Sequence, residues 1–243
     1  MFGPSSRWFV PAARSAALLI SLTVLPTHIA RAAAVTPPGF VDELVTAGLD
    51  APTSLAFLPD GRVLVTEQHT GAIRLVANGA LAPGALVVIT ELSTTGGERG
   101  LLSVAVDPRW PASPYVYVHF SRTNGTLRLV RFTASGDLSD PGSSALALGS
   151  MYVVLDGLAD AAFNHNGGAL RFGPDGRLYL SLGADANGCA AQDSTTLRGC
   201  VLRLDVSGLP AGAGGPPPRS DLAPADNPFA GSPSVDMRLV YAY

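Results

Sequence analysis

Short apolar runs alternate with Gly- and Pro-rich breaks along most of this chain, and their lengths are those of β-strands. Leu55-Ala56-Phe57-Leu58 reads as a strand, Pro59-Asp60-Gly61-Arg62 as a tight turn and Val63-Leu64-Val65-Thr66-Glu67 as a second strand. Gly71 then breaks the chain, and Ala72-Ile73-Arg74-Leu75-Val76 is a third. The plan returns at Ala169-Leu170-Arg171-Phe172, Gly173-Pro174-Asp175-Gly176-Arg177 and Leu178-Tyr179-Leu180-Ser181. A looser copy lies between them, with strands over 101–106, 115–120 and 126–132 and a turn opened by Asp107-Pro108. In the Pro-Asp-Gly turns, Pro presets φ, Asp hydrogen-bonds its own backbone and Gly accepts a positive φ.

Repetition at roughly 50 to 65 residues, with several strands per unit, predicts an all-β chain of propeller blades. A blade buries its faces only against its neighbours. A generic sandwich of hairpins is the alternative. The pattern yields about three units, with a fourth expected to open near Val201. The closing Val240-Tyr241-Ala242-Tyr243 reads as the middle of a strand. The expectation is therefore a partial propeller, truncated at its C-terminal side. Residues 208–218 are almost entirely Gly, Ala and Pro and read as a flexible surface loop. Asp226-Asn227-Pro228-Phe229 reads as a turn.

The first residues follow another pattern. Arg7 and Arg14 precede an apolar run over 16–25, and Ala30-Arg31-Ala32 forms a small-residue cleavage signal. The run is about ten residues, half of what a spanning helix needs. Residues 1–34 thus read as a signal peptide rather than a membrane anchor. The propeller part then occupies 35–243, with no membrane span after signal removal and a periplasmic or extracellular location.

Composition changes this picture little. Of 243 residues, 47% are hydrophobic and 14% charged, which supplies a core and excludes wholesale disorder. The 27 glycines and 20 prolines agree with a turn-rich all-β chain. A net charge of -3 without a basic run leaves no electrostatic footprint for nucleic acid. Cys189 and Cys200 are the only cysteines. In an oxidising compartment a disulfide between them is one reading, with the sequence leaving open whether they are bonded, and as metal ligands they lack a His pair to complete a zinc set.

Four clusters carry candidate chemistry. In Asn164-His165-Asn166-Gly167-Gly168, His165 sits on a Gly-rich backbone that a ligand can approach closely; it reads as a general base or as a turn histidine bonded to backbone. In Gly183-Ala184-Asp185-Ala186-Asn187-Gly188, Asp185 reads as a carboxylate that orients an imidazole, or as part of a turn. In Gly96-Gly97-Glu98-Arg99-Gly100, Glu98 and Arg99 either reach a central cavity or pair with each other. Glu67-Gln68-His69 reads as structural. Glu98 and His165 both precede innermost strands, so a propeller brings them together at the channel mouth.

Several of these segments resemble a known family. Gly97-Glu98-Arg99-Gly100-Leu101-Leu102-Ser103-Val104-Ala105, followed by Asp107-Pro108, is similar to the G-E-x-G-L-L-x-x-A-x-x-P segment of soluble glucose/sorbosone dehydrogenases. Residues 165–176 resemble their H-N-G-G-x-L-x-F-G-P-D-G segment, 197–205 their L-x-G-K-V-L-R-L-D segment and 226–229 their D-N-P-F. The resemblance implies a six-bladed β-propeller that binds pyrroloquinoline quinone (PQQ) and calcium and oxidises the C1 hydroxyl of aldose sugars. It implies His165 as the base that takes the hydroxyl proton while hydride passes to the quinone. It also implies Glu98, His165 and Asn166 as cofactor contacts, and a soluble electron acceptor as partner. No metal ligand is assigned. Two departures stand out. Ala184 occupies the place of the family's supporting Asp, with Asp185 one position later, and the family's Arg-Asn-Pro segment, which supplies cofactor and calcium contacts, would follow Tyr243. A non-catalytic, ligand- or protein-binding propeller of the same family is the competing reading.

Overall fold

The computed structural model describes residues 36–243. The expected signal peptide, 1–34, lies outside them. Residues 36–43 belong to a unit of their own and hold a turn in which the Phe40 N–H donates to the Pro37 carbonyl (3.0 Å). The β-rich unit spans Leu44–Tyr243.

Three antiparallel sheets follow one another along the chain. β1 (Pro52–Phe57), β2 (Val63–Glu67), β3 (Ala72–Ala77) and β4 (Ala80–Leu81) form the first in that order, and β5 (Val87–Val88) also pairs with β3. β6 (Leu101–Val106), β7 (Tyr115–Ser121), β8 (Thr126–Gly136) and β9 (Leu146–Ala159) form the second. β10 (Gly167–Phe172), β11 (Leu178–Leu182), β12 (Val201–Leu204) and β13 (Val240–Ala242) form the third. Each is an up-and-down meander, the build of a propeller blade. The all-β, propeller expectation holds, with one correction. The strand at Val201 opens no fourth blade. It pairs with β11 as the third strand of the third blade, because the long loop before it returns the chain to the sheet it left.

β6 packs against both β1 and β10, which fixes the blades as a fan. β7 shows what this does to the sequence pattern. Val116, Val118 and Phe120 face a core shared with Leu64, Ile73 and Leu75 of the first blade. Tyr117 faces the opposite core, with Leu170, Leu180 and Leu202 of the third. Both faces are buried, so the strand reads as a continuous apolar run instead of an alternation.

The turn between the two inner strands is built the same way in every blade. The carboxylates of Asp60, Asp107 and Asp175 accept the N–H groups of Arg62, Arg109 and Arg177, two residues on, at 3.0, 3.0 and 3.1 Å. Asp thus closes the turn itself. Arg62 is fully buried and reaches further, donating to the carbonyls of Asp137 and Ser143 in the loop between β8 and β9. The 208–218 segment, expected to be a free loop, is instead docked. The Val153 N–H donates to the Gly214 carbonyl (2.8 Å), and the buried Arg131 guanidinium donates to the carbonyls of Leu209 and Pro210 while stacking on Tyr115 and Tyr152.

The two cysteines are not joined. Cys189 is exposed and Cys200 buried, both as free thiols. Burial pushes the Cys200 thiol up to about 11. A thiol reagent at neutral pH is therefore expected to label Cys189 in the native protein and Cys200 only after unfolding. Two blocked thiols under non-reducing denaturation would overturn the assignment.

β7 also holds His119, fully buried on the face toward the third blade, with neither ring nitrogen hydrogen-bonded. Burial pushes its pKa down to about 3. Below the ordinary value near 6.5 the unfolded chain takes up a proton that the folded chain refuses. Stability therefore falls as pH drops from about 6.5 toward 3, by roughly 1.4 kcal/mol per pH unit from this group. His119→Leu should flatten the pH dependence of urea unfolding between pH 4 and 6 by about one proton. An unchanged slope would show that the buried imidazole is already protonated or otherwise paired.

Candidate functional site

The innermost strand of each blade starts with a register shift, between Pro52 and Ser54, Leu101 and Ser103, and Gly167 and Leu170. These irregularities sit side by side at one end of the fan. The Thr53 hydroxyl donates to the Leu101 carbonyl (2.6 Å). Gly168, at φ 114°, lies so close to Leu102 that a Cβ there would stand 2.9 Å from the leucine Cβ. Bulges of this kind re-aim the chain that leads into a strand. Here they bring the loop before β6 against the loop before β10.

Glu98 and His165 meet across that junction. The Glu98 Oε2 accepts the His165 main-chain N–H at 2.6 Å, and the Glu98 N–H points back to the Phe163 carbonyl (3.4 Å). His165 has φ 59°, a left-handed conformation unfavourable for a residue with a Cβ. The exposed Glu98 carboxylate satisfies the His165 N–H in that conformation. The His165 side chain is exposed, and among the described residues none hydrogen-bonds its imidazole. Phe163, two residues earlier, is also exposed. The loop therefore offers solvent a free proton acceptor and an aromatic face.

Asp185 meets His165 by a different route from the one its sequence position implied. Its N–H donates to the His165 carbonyl (3.1 Å). Its carboxylate is occupied by the Ala161 and Ala162 N–H groups, at 3.1 and 2.6 Å, and by Arg198 at 3.0–3.1 Å. Asp185 and Ala186 also lie at positive φ, so the chain after Gly183 turns sharply. Gly183 makes the approach feasible, since a Cβ there would lie 1.7 Å from the His165 carbonyl oxygen. The His165 main chain is thus held on both sides: Glu98 takes the N–H and Asp185 donates to the C=O. A cleft of about 240 Å³ opens beside the Asp185–Arg198 pair, lined among others by Leu158, Gly183, Thr196 and Arg219.

Asn166 is placed in the interior, 3% exposed. Its amide donates to Asp160 Oδ1 at 2.5 Å and to the Ala162 carbonyl at 2.9 Å. Arg99 does not pair with Glu98; its Nε faces Asp160 Oδ2 at 3.1 Å. Burial raises the Asp160 carboxyl above the ordinary carboxylate range, and the Arg99 guanidinium works against that rise. Asp160 and Arg198 escaped sequence reading because neither stands in a Gly-rich motif. Glu67 is structural as expected, buried and accepting from Asp50, Thr70 and Arg74. Among the described residues no three His, Cys, Asp or Glu side chains converge to hold a metal.

Residues 49–243 match the family described as Glucose / Sorbosone dehydrogenase. The aldose sugar dehydrogenase YliI of Escherichia coli is 27% identical over 187 residues, covering 77% of this chain and 46% of that protein. The hedgehog-interacting protein of Mus musculus is 29% identical over 184 residues, covering 67% of this chain and 25% of that protein. Among solved structures, the PQQ-bound aldose sugar dehydrogenase of Streptomyces coelicolor superposes with a TM-score of 0.62 at 31% identity, over 79% of this chain and 51% of that one. The apo form of the soluble enzyme from Escherichia coli gives 0.63 at 25% identity, over 81% and 52%. The chain thus spans about half the length of these dehydrogenases. With the family's model matched over residues 49–243, this chain belongs to the glucose/sorbosone dehydrogenase family.

Proposed function

We propose that this chain carries the proton-accepting part of an exported enzyme that oxidises aldose sugars at the C1 hydroxyl with PQQ as cofactor. One observation carries the reading: Glu98 and Asp185 clamp the backbone of His165 from two directions and leave its imidazole free.

Oxidation of a C1 hydroxyl to a lactone removes one proton and one hydride. His165 is the acceptor for the proton, since a neutral imidazole is a competent base near neutral pH. PQQ, when bound, supplies the hydride acceptor. The residues here fit a planar aromatic cofactor: His165, Phe163 and the bare backbone of Gly167 are exposed on one loop. The chain's own part is to orient the base. The Glu98 hydrogen bond prevents His165 from relaxing out of its left-handed conformation, and Gly183 lets the 183–186 turn close against it. The family's calcium finds no converging side-chain donors among the described residues, and no step is assigned to it. An exported location, periplasmic or extracellular, suits a sugar substrate and a soluble electron acceptor.

A second reading is favoured by the Asp185 carboxylate, which is spent on Ala161, Ala162 and Arg198 and leaves the imidazole without a carboxylate partner. On that reading the chain is part of a propeller that binds a ligand or protein without chemistry.

The full-length protein, reconstituted with PQQ and Ca²⁺, should reduce an artificial electron acceptor when supplied with aldoses. His165→Ala should lower kcat by roughly 100-fold or more, the usual contribution of a general base, with unchanged thermal unfolding. Failure of every aldose to support reduction would leave the binding-only reading, and full activity in His165→Ala would remove His165 from the chemistry.

A further inference from the structure

Asp160 directly follows β9, where the chain leaves the second blade for the third. It is 1% exposed. Oδ1 accepts the Asn166 amide at 2.5 Å, the main-chain carbonyl accepts an Arg99 N–H, and Oδ2 forms an ion pair with the Arg99 Nε at 3.1 Å without hydrogen-bond geometry. Asn166 directly follows His165, and Arg99 directly follows Glu98. A single buried carboxylate therefore grips the loops that carry both members of the Glu98–His165 pair. Gln68 of the first blade holds the other side of the 97–99 segment, its amide donating to the Gly97 and Arg99 carbonyls at 3.1 Å each.

The Glu98–His165 bond joins loops of two different blades. Its 2.6 Å length depends on the separation of those loops. The paired strands fix each loop mainly to its own blade. Glu98 and His165 both lie outside the strands, and besides the long bond from the Glu98 N–H to the Phe163 carbonyl (3.4 Å) the connection between their loops comes from side chains. Asp160 makes that connection in the interior, where its ion pair is poorly screened by water.

We propose that Asp160 is the positioning residue for His165, acting through Arg99 and Asn166 to hold the two loops at the distance the Glu98 bond requires. This rests on the reading of His165 as the base only for its effect on turnover; the effect on loop geometry stands without it.

Hydrogen exchange of the full-length protein without cofactor separates the two. In Asp160→Asn, exchange of the His165 amide, and of peptides covering 96–100 and 161–167, should rise about tenfold or more, the equivalent of losing one buried ion pair. Peptides from β7, β8 and β11 should exchange as in the parent. With PQQ and an aldose, the same variant should lose kcat by a similar factor with KM changed less than about threefold, the pattern of an interaction made only in the transition state. Combined with Glu98→Gln, the loss should be less than the product of the single losses, since both act on one residue. If Asp160→Asn does not fold, Arg99→Gln breaks the same pair from its other end and should give the same local signature. Unchanged protection of the His165 amide overturns the proposal, and so does faster exchange spread evenly over the second and third blades. Local exchange in a protein whose parent turns over no aldose upholds the positioning role and removes the dehydrogenase reading alone.

Discussion

The packing of β6 between β1 and β10 is the constraint on which the rest depends. A four-stranded meander has two apolar faces and no means of covering either, so each blade is stable only against its neighbours. The middle blade meets this condition fully. Val118 looks into one core and Tyr117 into the other, and both are completely buried. Because the inner strands must lie against each other, their starting bulges are brought into contact, and so are the loops that lead into them. The junction of Glu98 and His165 is thus a product of blade packing rather than of any local sequence preference.

The same logic explains how the histidine is held. An imidazole can be positioned by a carboxylate on its ring or through its backbone. This chain uses the second device. Glu98 takes the N–H of His165, Asp185 donates to its carbonyl, and Gly183 leaves room for the turn to close. The carboxylate of Asp185 is left to hold residues 161 and 162, the segment just before the histidine.

Much of this was legible in the sequence where local chemistry decides the structure. The Pro-Asp-Gly turns are self-closing, so Asp60 and Asp175 announced the hairpins of the first and third blades. His165 and Glu98 were found because Gly-rich segments before strands are few and distinct. Legibility failed where a residue's role depends on partners far along the chain. Val201 looks like the first strand of a unit, since the chain before it is a long loop, and only its pairing with β11 makes it the third. Asp160 lies between a strand and a loop with no motif around it. Its importance comes from Arg99, 61 residues earlier, and from Asn166. Cys189 and Cys200 stand close in sequence, but one faces solvent and the other the core.

The docked 208–218 segment has a consequence for the life of the chain outside its native fold. β9 is the longest strand, 14 residues, and the outermost of its blade. Left bare, its row of N–H and C=O groups is a template on which a second copy can add a strand. Gly214 occupies part of that row through its bonds with Met151 and Val153, and Pro216, Pro217 and Pro218 follow with no N–H to offer. A stretch that composition alone marks as filler thus guards the protein against edge-to-edge self-association.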